Sequence, residues 1–301
     1  MPEIGRVVTA MVTPFRDDGD LNPGAIAEIA GALLDSGTES LVLAGATGEG
    51  AALSGSEKLQ LFRATREAVG ERAALVACTG TYNTRESIEL TREAEAYADG
   101  FLLTVPYYSK PTQEGLYQHF AAIAAATSKP CLLYNIPSRS VVNMTAETTI
   151  RLSQVPNIAG IKEASGDLSQ IAAIIAGAAD GFRVWSGNDE DTFGVMSLGG
   201  YGVIGVITHL VGCQVGQMCD LVRGGRLPQA AEIHNRLLPL RHAMFSVTSP
   251  IPIKWALRRL GLPVGPLRLP LVDPEPAAAE KVWAEVEKHS IDLKLPTAVA
   301  G

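Results

Sequence analysis

A lysine closes an otherwise apolar run in Ile158-Ala-Gly-Ile-Lys162, a position that a surface amine does not need. Burial there disfavours the ammonium form, lowers the pKa and leaves a free amine that can condense with a ketone to form a Schiff base. The same spacing also allows a structural ion pair with Glu163 or another carboxylate. Tyr134 and Tyr108 follow two other apolar runs. A phenol so placed can move protons between a carbinolamine, its imine and an enamine, or can simply pack as an aromatic with a satisfied hydroxyl. Gly45-Ala-Thr-Gly-Glu49 opens the backbone so that amide N–H groups and the Thr47 hydroxyl can hold a carboxylate, or makes a tight turn that needs glycines. Arg139 offers a planar fork to a second carboxylate, or a surface ion pair.

These groups need a scaffold that brings strand ends together. Eight short apolar or β-branched runs, at residues 7–11, 41–44, 74–78, 101–105, 131–134, 158–161, 183–185 and 203–207, are each followed by turn residues and a stretch of helical periodicity. Their apolar character is nearly continuous, so both faces are expected to be covered, as in a parallel sheet flanked by helices. Eight such units predict an α/β fold, a (β/α)8 TIM barrel whose reactive groups sit at the C-terminal strand ends. Helix punctuation agrees: Asn22 before Pro23 with a stop at Gly37, a Ser54/Glu57 capping box with a stop at Gly70, and Thr84, Thr112 and Thr145 as N-caps. After about residue 225 the strand signal gives way to helical stretches at 227–245, 249–260 and 276–288. The expected organisation is a barrel over 1–225 carrying the active site and a C-terminal helical domain over 226–301.

Hydrophobic residues make up 47% and charged residues 19%, a core-rich balance. Lys plus Arg is 25 against 32 Asp plus Glu, a net charge of -7, so nucleic acid is not an expected partner. Cys78, Cys131, Cys213 and Cys219 show no metal-ligand spacing and sit among apolar residues, which predicts buried, reduced thiols and no metal site. The stretch Met1-Pro-Glu-Ile-Gly-Arg6 lacks a leader pattern, and no apolar run approaches the ~20 residues that span a bilayer. A cytoplasmic location without membrane contact is expected.

Together, Gly45-Ala-Thr-Gly-Glu49, Pro106-Tyr-Tyr108, Gln113-Glu-Gly-Leu-Tyr-Gln-His-Phe120, Tyr134-Asn-Ile-Pro-Ser-Arg139, Gly160-Ile-Lys-Glu-Ala164 and Gly199-Gly-Tyr-Gly-Val-Ile204 resemble the pyruvate-dependent class I aldolase family. The resemblance runs over about residues 5–270 and takes in Ser249-Pro-Ile-Pro-Ile-Lys254. It implies a lyase in which Lys162 forms the Schiff base with pyruvate and Tyr134 donates and accepts protons beside it. Thr47 would bind the pyruvate carboxylate with backbone near Ala46 and Ile204, and Gly187 would line the cavity. Tyr108 would cross a tight dimer interface into the neighbouring subunit's site, and Arg139 would receive the carboxylate of L-aspartate 4-semialdehyde. The implied reaction joins these two small molecules into a cyclic product on the route to diaminopimelate and lysine. It needs no cofactor beyond the covalent pyruvate adduct, and the implied assembly is a homodimer or homotetramer.

Two departures qualify the resemblance. The family motif carries a threonine where this chain has Ala46, which removes a relay hydroxyl that a water can replace in a polar cavity. A different aldehyde partner, such as that of a 2-keto-3-deoxy sugar acid aldolase, or a weakened keto-acid-binding paralogue are the alternatives. Glu86 and Tyr107 match the cluster that binds feedback lysine in some members, but Tyr82, Gly50, Gly55 and Lys58 stand where that cluster has other polar groups. Weak or absent inhibition by lysine is expected.

Overall fold

The apolar runs become strands buried on both faces. In the computed structural model, which describes residues 2–294, they are β1 (Val7–Ala10), β2 (Ser40–Leu43), β3 (Ala74–Cys78), β4 (Gly100–Thr104), β5 (Cys131–Asn135), β6 (Ile158–Glu163), β7 (Arg183–Ser186) and β8 (Gly202–Gly205). Met1 of the N-terminal stretch and residues 295–301 of the C-terminal segment lie outside the described residues. Every strand pairs in parallel with the next, and β8 returns to β1, closing the barrel. Side chains alternate: Val8, Val42, Val76, Leu132, Trp185 and Ile204 fill the interior, while Leu41, Leu75, Phe101, Leu133 and Ile161 pack outward against the helices.

Two strand ends differ from expectation for reasons that bear on the site. The sixth run continues through Lys162 and Glu163, because these residues pair in register with Tyr134 and Asn135 on β5 and with Trp185 and Ser186 on β7. The eighth ends early, at Gly205, because the N–H groups of Val206 and Ile207 turn to the Asp189 carboxylate, at 3.0 and 3.4 Å.

The helix signals hold except at two expected N-caps, Asn22 and Thr84. Pro23 opens Pro23–Leu34, although the Asn22 side chain makes no capping bond, and Ser54 and Glu57 form a complete capping box on Gly55–Val69. Thr112 and Thr145 cap Gln113–Ala124 and Ala146–Leu152. Thr84 is not a cap. Asn83 takes that role, accepting from the Arg85 and Glu86 amides, and the Thr84 hydroxyl instead meets His119 Nδ1 at 2.9 Å. A side-chain carbonyl at Asn83 accepts better from the helix end than a threonine already inside the first turn.

Beyond Thr208–Arg223, three helices, Leu227–Met244, Ile251–Arg259 and Pro276–Val286, place Leu237, Leu240, Ile253 and Val282 in the same apolar core as Val215 and Met218. Cys78, Cys131 and Cys219 are buried; Cys213 is exposed, because the helical face that carries it turns from the core to solvent. Among the described residues no helix is long and apolar enough to cross a membrane.

Trp185 floors the barrel below Lys162, with its Nε1–H donating to the Gly5 carbonyl at 2.9 Å. It fits because Gly160 has no side chain: a Cβ there would lie 2.4 Å from the Arg183 carbonyl oxygen and 2.7 Å from Trp185 Cζ3. Gly160→Ala is therefore expected to destabilise the fold by about 1–3 kcal/mol, read as a lower denaturation midpoint at unchanged slope.

Candidate active site

Strand alternation on β6 sends Gly160 and Lys162 into the barrel and Glu163 to the other face. Lys162 is 6% exposed, and its Nζ lies 4.3 Å from the centroid of the Tyr134 ring, the residue opposite it on β5. Glu163 is occupied elsewhere: its carboxylate accepts from Asn135 Nδ2 at 3.1 Å and from the Ser165 amide at 2.8 Å. The ion-pair reading of Lys162 with Glu163 is thus overturned, and among the described residues Lys162 has no carboxylate within salt-bridge distance. Burial pushes its pKa down to about 8, helped by the Arg139 charge and opposed by Asp189 and Cys78. Burial likewise raises the Tyr134 phenol far above its ordinary value, against the pull of Arg139, so this hydroxyl keeps its proton at neutral pH.

The second strand ends in a loop whose backbone is unusual. Ala44 and Glu49 adopt left-handed φ angles of 55° and 52°, and the glycines serve close approach instead. A Cβ on Gly48 would lie 2.9 Å from the Met11 carbonyl oxygen and one on Gly50 1.8 Å from that of Ala44. Ala46 is exposed to the cavity at the barrel mouth, Thr47 is buried beside it, and Glu49 turns inward to Lys254.

Arg139 follows β5 in the turn Pro137–Ser140 and stands at the cavity rim. One nitrogen, Nη2, donates to the Ser249 carbonyl at 2.8 Å, which ties the arginine to the C-terminal segment instead of to a surface carboxylate. Gly187, after β7, lets the Lys162 stem pass: a Cβ there would lie 3.1 Å from Lys162 Cγ. Ile204 is fully buried on β8.

The cavity measures about 450 Å3 and is lined by Ala46, Lys58, Tyr107, Tyr134, Arg139 and the Arg268–Leu271 segment, among others. Ala46, Tyr134 and Arg139 line this cavity; Lys162 lies against the Tyr134 ring, Gly187 against the Lys162 stem, Thr47 next to Ala46, and Ile204 in the barrel interior with Tyr134. Tyr108 does not join them within one chain. It has a left-handed φ of 70°, is 92% exposed and projects from the fourth strand's loop, while its neighbour Tyr107 faces the cavity and meets Tyr82 edge-on at 5.2 Å. No cluster of His, Cys, Asp and Glu suited to a metal occurs among the described residues.

The strand-end reading missed Asp189, which lies two residues beyond Gly187 on the same loop. It is buried, holds the amides that follow β8, and is the main charge opposing the drop in Lys162 pKa. Its burial pushes its own carboxyl up, against those amides and Lys162. A carboxylate just past a strand end was the available signal.

A buried amine with a depressed pKa favours its neutral form as pH rises. Imine formation at Lys162 is expected to accelerate as pH increases through about 8 and to level off above it, followed by stopped-flow mixing with a ketone across pH. The lowered folded pKa also means that the unfolded chain binds more protons between about 8 and 10.5, so this residue's penalty on stability is full below pH 8 and relieved above it. Lys162→Met should remove that penalty, raising stability at neutral pH by on the order of 2 kcal/mol while abolishing imine formation.

Comparison with known proteins gives the site a context. The description of the dihydrodipicolinate synthetase family matches residues 3–289. The chain is 49% identical over 296 residues to 4-hydroxy-tetrahydrodipicolinate synthase of Dehalococcoides mccartyi, covering 98% of this chain and 100% of the relative. It is 50% identical over 288 residues to the enzyme of that name from Moorella thermoacetica, covering 95% and 99%. Among solved structures, the lysine-bound dihydrodipicolinate synthase of Cyanidioschyzon merolae superposes with a TM-score of 0.93 at 42% identity, covering 95% of this chain and 98% of that one.

Proposed function

The chain belongs to the dihydrodipicolinate synthetase family, and from that premise we propose that it condenses pyruvate with L-aspartate 4-semialdehyde to 4-hydroxy-tetrahydrodipicolinate, the committed step toward diaminopimelate and lysine. The observation that carries this reading is the buried Lys162 amine, free of a carboxylate partner and facing the ring of Tyr134, which lines one cavity with Arg139.

Neutral Lys162 attacks the pyruvate ketone, and the Tyr134 hydroxyl gives a proton to the departing water to leave a protonated imine. The imine acts as electron sink, so a methyl proton passes to the Tyr134 oxygen to form the enamine without a metal or organic cofactor. The enamine carbon adds to the aldehyde of aspartate semialdehyde, whose carboxylate Arg139 holds with the guanidinium nitrogens not used on Ser249. The α-amine carried in by the semialdehyde then closes on the former ketone carbon, expelling the Lys162 amine and completing the ring. Thr47 and backbone near Ala46 and Ile204 bind the pyruvate carboxylate, and Gly187 leaves room for the adduct. Tyr108 completes the proton relay in the site of a neighbouring subunit, in a cytoplasmic homodimer or homotetramer; its exposure on a projecting loop supports this role. Ala46 opens the cavity wall where the relay hydroxyl would stand, and a water bridges that space. The same residue favours a second reading, an aldolase acting on 2-keto-3-deoxy sugar acids.

Borohydride in the presence of pyruvate is expected to leave a reduced adduct on Lys162, and trapping that persists in Lys162→Ala would end the assignment. Turnover with aspartate semialdehyde should exceed that with a 2-keto-3-deoxy sugar acid. Arg139→Ala should raise the KM for the semialdehyde by about 30- to 100-fold with a small change for pyruvate.

Feedback lysine should inhibit weakly or not at all. Glu86 already accepts from Asn83 Nδ2 at 2.9 Å, and Tyr82 closes on Tyr107. A half-loss of activity in submillimolar lysine would contradict this.

A further inference from the structure

We infer that the C-terminal segment sets the shape of the loop that receives the pyruvate carboxylate, with Lys254 and Arg268 as positioning residues that act through Glu49. The inference rests on the reading of the Gly45–Glu49 loop as that receptor.

Glu49 holds a left-handed φ of 52° and is almost fully buried. Such a conformation in a non-glycine residue costs on the order of 1 kcal/mol and persists where surroundings over-determine it. Its two carboxylate oxygens are divided between two donors: Oε1 accepts from Lys254 Nζ at 2.6 Å, and Oε2 from the Arg268 backbone N–H at 2.8 Å. Lys254 is 1% exposed, and its ammonium lies 4.1 Å from the Phe15 ring centroid. The Arg268 guanidinium stacks on the same ring at 4.3 Å and donates to the carbonyls of Gly19 and Ala52 and to the Glu57 carboxylate.

None of these bonds reaches Lys162, Tyr134 or Arg139. Their effect passes along the loop, because the Glu49 amide donates to the Ala46 carbonyl at 3.1 Å and the Gly50 amide to that of Gly45 at 3.0 Å. A turn at Glu49 therefore displaces Ala46 and Thr47. A carboxylate offers a separate acceptor oxygen to each donor, whereas an amide would turn its NH2 group toward one of them. A buried ion pair contributes little net stability compared with apolar replacements, so holding geometry is the role that accounts for this one.

The test compares the unsubstituted protein with Glu49→Gln and Lys254→Met. Three quantities are read: the pyruvate concentration giving half-maximal borohydride-trapped adduct, the KM for aspartate semialdehyde, and the melting midpoint. The expected result is a rise in half-saturating pyruvate of about 10-fold in both variants, with full trapping at saturation and a semialdehyde KM within about 2-fold. A lower melting midpoint with unchanged half-saturation would show a merely structural role and overturn the inference. Should Glu49→Gln fail to fold, Lys254→Met, which removes the side-chain donor to Glu49 Oε1 and leaves the backbone bond from Arg268, decides by the same criterion. No adduct in the unsubstituted protein would instead overturn the pyruvate reading, and this inference with it.

Discussion

An amine held in a closed ring of apolar strands without a counter-ion is the constraint around which this molecule is built. Desolvation alone would expel the charge, and it does so only partly, because Asp189 and the Cys78 thiol oppose the drop set by burial and by Arg139. The barrel makes such a placement possible. Its parallel strands bury both faces, its side-chain alternation sends Lys162 inward and Glu163 outward, and Trp185 closes the floor beneath. A site of this kind costs stability that the surrounding core must offset, which is common where activity needs a group in an unfavourable environment.

The protein buries a second lysine, and the contrast shows that partners, not depth, assign the roles. Burial draws Lys254 downward as it does Lys162, but the Glu49 carboxylate hydrogen-bonded to it pulls the other way. Both end near the same value, about 8, so the difference lies in the partner: Lys254 is fixed by a hydrogen bond to Glu49, whereas Lys162 has only an aromatic face and a distant carboxylate. The same chemistry serves as a fastener in one place and, in the proposed mechanism, as a nucleophile in the other.

The mouth of the barrel is assembled from distant stretches of chain. The Glu49 loop, the turn carrying Arg139 and the strap Arg268–Leu271 line one cavity, and the bonds from Arg139 to Ser249 and from Arg268 to Glu49 cross from barrel to C-terminal segment. The C-terminal helices share the barrel's core, so their packing and the cavity's shape are mechanically linked. Tyr108 points away from this assembly, and in the proposed mechanism it completes the site of another subunit.

Most of the barrel and the position of Lys162 were legible in the residues themselves, because apolar continuity, helix caps and strand alternation are local properties. The eight runs and the Ser54/Glu57 capping box follow from neighbours a few residues apart. Tertiary structure alone decided which carboxylate each buried lysine would meet: Glu49 finds Lys254 across 205 residues, and Glu163, though adjacent to Lys162, faces the other way. It also decided that Val206 and Ile207 would leave the strand for Asp189, and that Tyr108 would turn outward while Tyr107 faced the cavity. Those outcomes depend on which distant groups close on one another when the ring of strands forms, and no pattern within a short window of sequence carries that information.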